Sequence, residues 1–189
     1  MDKYINYVIA LARGKVNNVF VSSDDEQAIT VLSNIFKNAD KEVRILAGSL
    51  CSKIANDPEY ISSLSDFIER NGKVMILLNK FNENEAISSN LYKRLSYYSS
   101  IKKNIVLKST DAHAYMSNDT YKKEVHFTIA DNNAYRIEFD IENKIAECNF
   151  NDSVVVEKLK TIYDGVFFSK KNIEVDLLKI FYLGNNGRK

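Results

Sequence analysis

The order of predicted strands and helices between residues 15 and 108 constrains the fold of this chain most. Three segments with apolar stripes at helical spacing, at about 25–39, 58–70 and 85–100, alternate with four short apolar segments. The predicted strands are KVNNVFV (15–21), EVRILAGSL (42–50), KVMILLN (73–79) and NIVLK (104–108). Such alternation implies crossover connections and parallel neighbours. The sequence therefore predicts the α/β class, with a mixed, mainly parallel sheet flanked by helices on both faces.

The remaining segments complete one predicted domain over residues 1–189, since 189 residues suit a single core. Residues 1–12 are predicted to form a short helix, and residues 153–168 a longer one. Residues 109–121 are predicted to be a loop, and residues 172–183 a further amphipathic helix. The core is thus expected at about 15–168, with the C-terminal helix outside it.

Charge and cysteine content limit the function classes. The chain carries 26 basic and 25 acidic residues, which argues against a surface dedicated to coating DNA or membranes but leaves room for a local basic patch. No apolar run reaches the roughly 18 residues of a membrane span. Cys51 and Cys148 show no CxxC spacing, so we expect reduced thiols and a cytoplasmic location.

The densest concentration of potential site chemistry lies in residues 122–152. Glu124, His126 and Thr128 alternate with apolar residues, which is the period-2 pattern of a half-buried strand. The segment Asp131-Asn132-Asn133 is a turn signal, and a second alternating strand follows it. The sequence therefore predicts a hairpin that presents His126 on its polar face, with carboxylates on either side of it.

Four segments, together with their order along the chain, resemble the phospholipase D-like superfamily over roughly residues 20–168. EVHFTIADNNAYRIE is similar to the strand and turn of the HxKxxxxD signature of that superfamily. VRILAGSL resembles its early strand with a small-residue bend, and ERNGKVMILLN resembles its passage from helix to strand. AECNFND resembles the downstream segment that contains Asn. The resemblance implies a phospholipase D-like unit and, for a chain of this size, a homodimer with two His126 side chains near one shared cleft.

The signature itself is altered. Its His, Lys and Asp positions hold Glu124, His126 and Asp131, while a register that starts at His126 places Thr128 and Asn133 at the other two positions. The first register is preferred because it puts Asp131 at the turn. In the family, as the resemblance implies, the His attacks a phosphodiester and the Lys stabilises charge on the phosphoryl oxygens. A Glu at the nucleophile position would repel phosphate, so the resemblance implies a degenerate active site.

Further residues are candidates for ligand binding, each beside a structural interpretation. Arg136 either grips an anion or forms an ion pair with Glu138 that fixes strand register. His113 is a loop histidine or a site residue, and Asn149 could line the cleft. Asp152 is expected to cap the next helix. Lysines near the site, with tyrosines as stacking partners, form either a phosphate-binding patch or a solvated rim: Lys102, Lys103, Lys108, Lys122, Lys123, Tyr97, Tyr98, Tyr115 and Tyr121.

Three hypotheses for function follow. The leading one is a catalytically degenerate module that binds a phosphate-containing ligand, such as nucleic acid or a nucleotide. The second is an active phosphodiesterase or nuclease that uses His126 across a homodimer, and the third is a structural protein–protein interaction domain. The spacing of His113, Glu124, His126 and Asp131 matches no metal-binding signature, so we predict no metal and no other cofactor.

Overall fold

The computed structural model describes residues 2–117 and 122–183. The helices within this part of the chain are Asp2–Gly14 (α1), Asp25–Asn38 (α2), Pro58–Glu69 (α3), Glu83–Ser88 (α4), Asn90–Ser100 (α5), Ser153–Phe167 (α6) and a π-helix at Lys179–Leu183. The strands are Phe20–Ser22 (β1), Glu42–Ala47 (β2), Lys73–Leu78 (β3), Ile105–Ser109 (β4), Tyr115–Ser117 (β5), Lys122–Glu124 (β6), His126–Ala130 (β7), Ala134–Asp140 (β8), Ile145–Asn149 (β9) and Ile173–Glu174 (β10).

The main sheet of the described residues has eight strands in the order β1-β9-β8-β7-β2-β3-β4-β10. Within it, only β2–β3 and β3–β4 pair in parallel, and the other five neighbouring pairs are antiparallel. The mixed α/β class is confirmed, but the expected mainly parallel character is corrected to a partial one. The reason is that β7, β8 and β9 form a meander that inserts between β1 and β2, so the first crossover does not place its strands side by side.

Helices cover both faces of this sheet, as predicted. On one face, α1, α2, α3 and α5 pack with the sheet around a core that includes Val8, Ile35, Phe67 and Leu95. On the other face, α6 packs Val156, Leu159, Tyr163 and Phe167 against the apolar side of β7 and β8. Burial of these apolar side chains provides the main favourable contribution to folding.

Side-chain caps fix where three predicted helices begin. Asp24 accepts a hydrogen bond from the backbone N–H of Gln27 at the start of α2. Asp57 accepts one from the backbone N–H of Glu59 at the start of α3, which has Pro58 at its first position. Asp152 accepts from two backbone N–H groups at the start of α6, so its predicted capping role is confirmed.

Two helical predictions are corrected. The helix expected at 85–100 is divided at Ser89, which ends α4 and caps α5 through its side chain. The segment 172–183 is not one helix: it begins with β10, which pairs with the open edge of β4, and the backbone N–H of Val175 donates to the carbonyl of Leu107. An edge strand offers unpaired backbone groups, and here they are satisfied by this short strand rather than by helix formation.

The strand predicted to carry Glu124 and His126 is also divided. Glu124 ends β6, which pairs with β5 in a separate two-stranded sheet, and His126 begins β7 in the main sheet. Val125, between them, is buried in the core on the α6 side of the main sheet. The predicted loop 109–121 therefore contains a strand, and the candidate stacking residue Tyr121 lies outside the described residues.

Candidate functional site

The candidate site forms at the ends of three neighbouring strands in the middle of the main sheet. β2 and β3 are parallel, so their carboxyl ends lie side by side and lead into Gly48 and Asn79. β7 is antiparallel to β2, so its first residue, His126, lies next to the carboxyl end of β2. Gly48 lies against the imidazole, since a Cβ built on Gly48 would stand 3.5 Å from His126 Cε1. The Gly48-Ser49 bend after β2 therefore forms one wall of the site.

Glu124 is the centre of a hydrogen-bond network in this site. Its Oε1 lies 2.6 Å from His113 Nδ1 and accepts a 2.9 Å hydrogen bond from Asn79 Nδ2. Burial is the largest single influence on the pKa of Glu124 and raises it, but the hydrogen bonds from His113 and Asn79 and the nearby imidazoles outweigh it. The pKa of Glu124 therefore lies below its ordinary value, and the residue is an ionised carboxylate at neutral pH.

His126 lies between two carboxylates without a hydrogen bond to either. Its Nε2 is 3.7 Å from Glu124 Oε1, and its Nδ1 is 3.8 Å from Glu138 Oε2. Both distances exceed hydrogen-bond range, and the buried Nε2 has no hydrogen-bond partner among the described residues. Burial is the largest influence on the pKa of His126 and lowers it. The charge of Glu124 raises this pKa, whereas the nearby Lys80 and His113 lower it further. His126 is therefore a neutral imidazole at pH 7.

Arg136 is buried, and its guanidinium is occupied. Nε donates to Ser22 Oγ, Nη1 and Nη2 donate to Glu138 Oε1, and Nη2 also donates to the carbonyl of Lys144. Burial raises the pKa of Glu138, although the charge of Arg136 opposes this. This geometry matches the structural interpretation of Arg136 and Glu138 as an ion pair, along one strand rather than across two.

Asp131 lies at the other end of β7 from His126. The two residues are five positions apart along the chain, which is roughly 17 Å at the usual rise per residue of a strand. The carboxylate accepts hydrogen bonds of 2.8, 2.8 and 3.0 Å from the backbone N–H groups of Asp40, Lys41 and Glu42. Asp131 thus holds the turn between β7 and β8 against the segment that leads into β2, and the structure does not bring it together with His126.

Asn149 is likewise remote from the histidine. It pairs with Tyr135 in the β8–β9 register, whereas Glu138, which faces His126, pairs with Ala146. The Asn149 side chain is fully buried and donates a 2.8 Å hydrogen bond to Asn17 Oδ1. Its position supports a structural contact between β9 and the segment before β1 rather than contact with a ligand in the cleft.

The predicted lysine cluster is only partly assembled. Lys122 and Lys123 are exposed on β6, with the Lys122 Nζ 4.1 Å from the ring centroid of Tyr115, which is also exposed. Lys103 instead contacts Asn71, and Lys108 packs on Phe167 near α6. Lys122 and Tyr115 therefore form an exposed pair beside the network of Glu124, whereas Lys123 extends from the other face of β6, with its Nζ 5.9 Å from the ring centroid of Phe139. We call Lys122, Lys123 and Tyr115 the β5–β6 rim.

A cavity of about 240 Å³ lies beside His126 on the face of the sheet that α2 and α3 cover. Its walls are mainly apolar and include Ile45, Ala47, Ile54 and Ala55. The polar groups that line it include His126, Arg136, Glu138 and Lys144. The Lys144 Nζ lies 2.6 Å from Asp25 Oδ1, so Arg136 and Lys144 both have anionic partners.

Asn79 is a site residue that sequence reasoning missed. Its side chain bonds Glu124 from 45 positions away, and its Oδ1 is buried without a hydrogen-bond partner among the described residues. The available signal was its position directly after a buried strand with a parallel neighbour, where polar side chains of α/β proteins commonly face a ligand. That rule applies only once the neighbouring strands are known.

Solved structures show which fold this is. The chain matches an archaeal chromatin protein, TrmBL2, whose structure shows a mode of DNA binding, with 13% identity over 92% of this chain and 62% of that one and a TM-score of 0.59. It matches Nuc of Salmonella typhimurium, a phospholipase D family member, with 13% identity, 85% and 99% coverage and a TM-score of 0.59. NucT from Helicobacter pylori follows with 15% identity, the same coverages and a TM-score of 0.55.

The chain therefore has the phospholipase D-like fold, as the resemblance implied. It spans nearly all of Nuc and NucT but less than two thirds of TrmBL2. No protein-family model matches the sequence, and no curated protein matches it either. Within residues 2–117 and 122–183, no helix is long and apolar enough to cross a bilayer, and no group of three His, Cys, Asp or Glu side chains is arranged to hold a metal ion.

Proposed function

We propose that this chain is a catalytically inactive phospholipase D-like domain that acts as a binding or regulatory module for nucleic acid or a nucleotide. The observation that carries the proposal is the environment of the signature positions. Glu124 stands in the nucleophile position, and it is an ionised carboxylate held by Asn79 and His113. A negative charge there opposes the approach of a phosphodiester, and a carboxylate in this network is a poor substitute for an imidazole nucleophile.

The second signature position supports the same conclusion. His126 replaces the lysine that would stabilise phosphoryl oxygens, and as a neutral imidazole it supplies no positive charge. Arg136, which lines the neighbouring cavity, already donates to Ser22, Glu138 and Lys144. Within residues 2–117 and 122–183, the signature positions thus provide neither an activated nucleophile nor a cation for the phosphoryl oxygens.

The β5–β6 rim supports binding of a phosphate-containing ligand outside the cleft. Lys122 and Lys123 are exposed, and Tyr115 offers an aromatic face beside Lys122. Lysines that track phosphates and an aromatic ring that stacks on a base are the usual components of sequence-tolerant binding to single strands. TrmBL2 has a similar fold and binds DNA, which adds support for nucleic acid as the ligand.

Binding of a labelled single-stranded oligonucleotide, measured by fluorescence anisotropy at several salt concentrations, tests this proposal. We expect the double variant Lys122→Ala/Lys123→Ala to bind more weakly and to reduce the magnitude of the slope of log affinity against log salt by about 1.4, roughly 0.7 for each lysine that no longer neutralises a phosphate of the single strand. The matched control is Lys158→Ala/Lys170→Ala, which removes two exposed lysines on and just after α6. No saturable binding by the wild type, or equal reductions in both variants, would refute the proposed ligand.

Two other functions predict different results. An active nuclease that pairs His126 residues across a homodimer predicts cleavage that His126→Ala abolishes. A protein–protein interaction domain predicts that the wild type shows no saturable binding of oligonucleotide or nucleotide. We place both behind the binding module because Glu124 occupies the nucleophile position and because Lys122 and Lys123 are exposed.

A further inference from the structure

We propose that the cavity beside His126 receives a nucleobase that carries an exocyclic amino group. This inference rests on the proposed function for the class of ligand, since it assigns the base of a nucleotide to the cavity. It goes beyond that function in locating a second contact, inside the domain rather than on the β5–β6 rim. Three features support it: the lining of the cavity, the state of its charged groups and the two acceptor atoms that face each other within it.

The lining favours a neutral, flat and largely apolar group. Most of the cavity lining is apolar, and it includes side chains from β2 and from the segment between β2 and α3, among them Ile45, Ile54 and Ala55. A phosphate transferred to such surroundings would lose its hydration without a compensating cation. Arg136 and Lys144, which line the cavity, are already paired with Glu138 and Asp25. A nucleobase loses far less hydration on entering the same space.

The size of the cavity agrees with this assignment. Pockets that bury drug-sized ligands occupy about 300–1,000 Å³. The cavity beside His126 measures about 240 Å³, which suits one small ring system rather than a whole nucleotide. Gly48 contributes to the wall next to the imidazole and keeps that side free of a side chain.

Two acceptor atoms in the cavity are placed to receive an amino group. Glu138 Oε2 and His126 Nδ1 are 3.8 Å apart, too far for a hydrogen bond to each other. Glu138 Oε1 is occupied by Arg136, which leaves Oε2 for a ligand. An amino nitrogen about 2.9 Å from both atoms would donate one hydrogen to each. Neither acceptor would suit a ligand that presents only oxygen acceptors, such as phosphate.

The other imidazole nitrogen fits the same arrangement. His126 Nε2 faces Glu124 Oε1 at 3.7 Å, so a proton on Nε2 points towards an ionised carboxylate. With the proton on that nitrogen, Nδ1 carries the lone pair that accepts from the ligand. The negative charge of Glu124 thus favours the tautomer in which Nδ1 accepts from an amino group, and the altered signature acquires a role in recognition.

Calorimetric titration with adenosine and with purine riboside, which differs only in lacking the amino group, tests this inference. We expect adenosine to bind at least about tenfold more tightly, because purine riboside leaves both acceptors unpaired. Inorganic phosphate is expected to give no saturable heat. Equal affinity for the two nucleosides, or no binding of adenosine at millimolar concentration, would overturn the inference.

A pair of glycine variants provides the structural control. Gly48→Ala adds a methyl group 3.5 Å from His126 Cε1 and is expected to weaken adenosine binding several-fold. Gly165→Ala adds a methyl group on α6 with no atom within 4 Å and is expected to leave binding unchanged. Equal affinity in both variants would refute the location. If oligonucleotides bind through Lys122 and Lys123 but adenosine does not bind, the cavity inference fails and the proposed function stands.

Discussion

At the residue scale, the acid of the altered signature is a structural residue. Asp131 has a positive φ of 50° and accepts three hydrogen bonds from consecutive backbone N–H groups. Asp and Asn tolerate this left-handed conformation better than other residues with a side chain. The side chain therefore satisfies backbone donors at the start of β2 and fixes the turn after β7 at the same time.

Replacing Asp131 should reduce stability without affecting a ligand in the cleft. We expect Asp131→Ala to lower the free energy of unfolding by about 1–3 kcal/mol, because three backbone N–H groups lose a charged acceptor, one of them partly buried, and Ala resists the positive φ. Asp131→Asn, which keeps one oxygen acceptor and tolerates the conformation, should be destabilised roughly half as much. Urea denaturation measures both. Equal destabilisation of the two variants would contradict this account, as would a change in adenosine affinity in folded Asp131→Asn.

The lowered pKa of Glu124 gives a second prediction at this scale. A carboxyl group whose pKa is lower in the folded state stabilises the fold above its unfolded pKa, and that contribution disappears as the pH falls through its folded pKa. We expect Glu124→Gln to cost about 1 kcal/mol at pH 7 and less as the pH drops below about 4. Urea denaturation midpoints at pH 7 and at a pH below about 4 measure this difference. The variant Glu157→Gln, at an exposed position, is the control. A pH-independent difference would contradict it.

Some of these residues were predictable and others were not. Alternation along the strand correctly placed Arg136 beside Glu138, since residues two apart share a face. Alternation alone did not show that Asp131 and His126 lie at opposite ends of β7. The spacing of the family signature had suggested that the two residues belong to the same site. Asn79 reaches Glu124 from 45 positions away, through a sheet order that local patterns do not contain. His113 precedes β5 and reaches Glu124 through the β5–β6 pairing, in a segment that the sequence predicted to be a loop.

At the element scale, local sequence signals predicted where helices begin better than they predicted which strands are neighbours in the sheet. The caps Asp24, Asp57 and Asp152 act through the adjacent backbone, so their sequence context was sufficient to predict where the helices begin. The position of β7 between β8 and β2 depends on pairing across more than 80 residues. The partly parallel sheet therefore could not be derived from the alternation of strands and helices alone.

One capping contact between elements is testable. Asn56, in the segment before α3, accepts hydrogen bonds through Oδ1 from Ser89 Oγ and from the backbone N–H groups of Asn90 and Leu91 at the start of α5. We expect Asn56→Ala to lower the free energy of unfolding by about 1–2 kcal/mol, because it leaves helix donors unsatisfied. The control Asn84→Ala removes an exposed amide of α4. Thermal and urea denaturation with no difference between the two would contradict the role of Asn56.

At the scale of the whole molecule, the fold matches that of phospholipase D-like proteins, but the residues of the site differ from the signature of that family. The sheet and its two helical layers are those of phospholipase D-like proteins, including Nuc and NucT. The edge of the sheet that carries the signature holds Glu124 and a neutral His126, beside an apolar cavity. The proposal of a binding role rests on this arrangement, because a carboxylate and an imidazole occupy the positions that hold His and Lys in the family signature.

The most direct test of catalytic inactivity is a cleavage assay with wild type beside His126→Ala. The substrates are single- and double-stranded DNA, RNA and a chromogenic phosphodiester, each with and without EDTA, with a phospholipase D-family nuclease as the positive control. We predict no turnover above background for either protein under any of these conditions. Cleavage by the wild type that is lost in a correctly folded His126→Ala variant would contradict the account and would establish a modified active site.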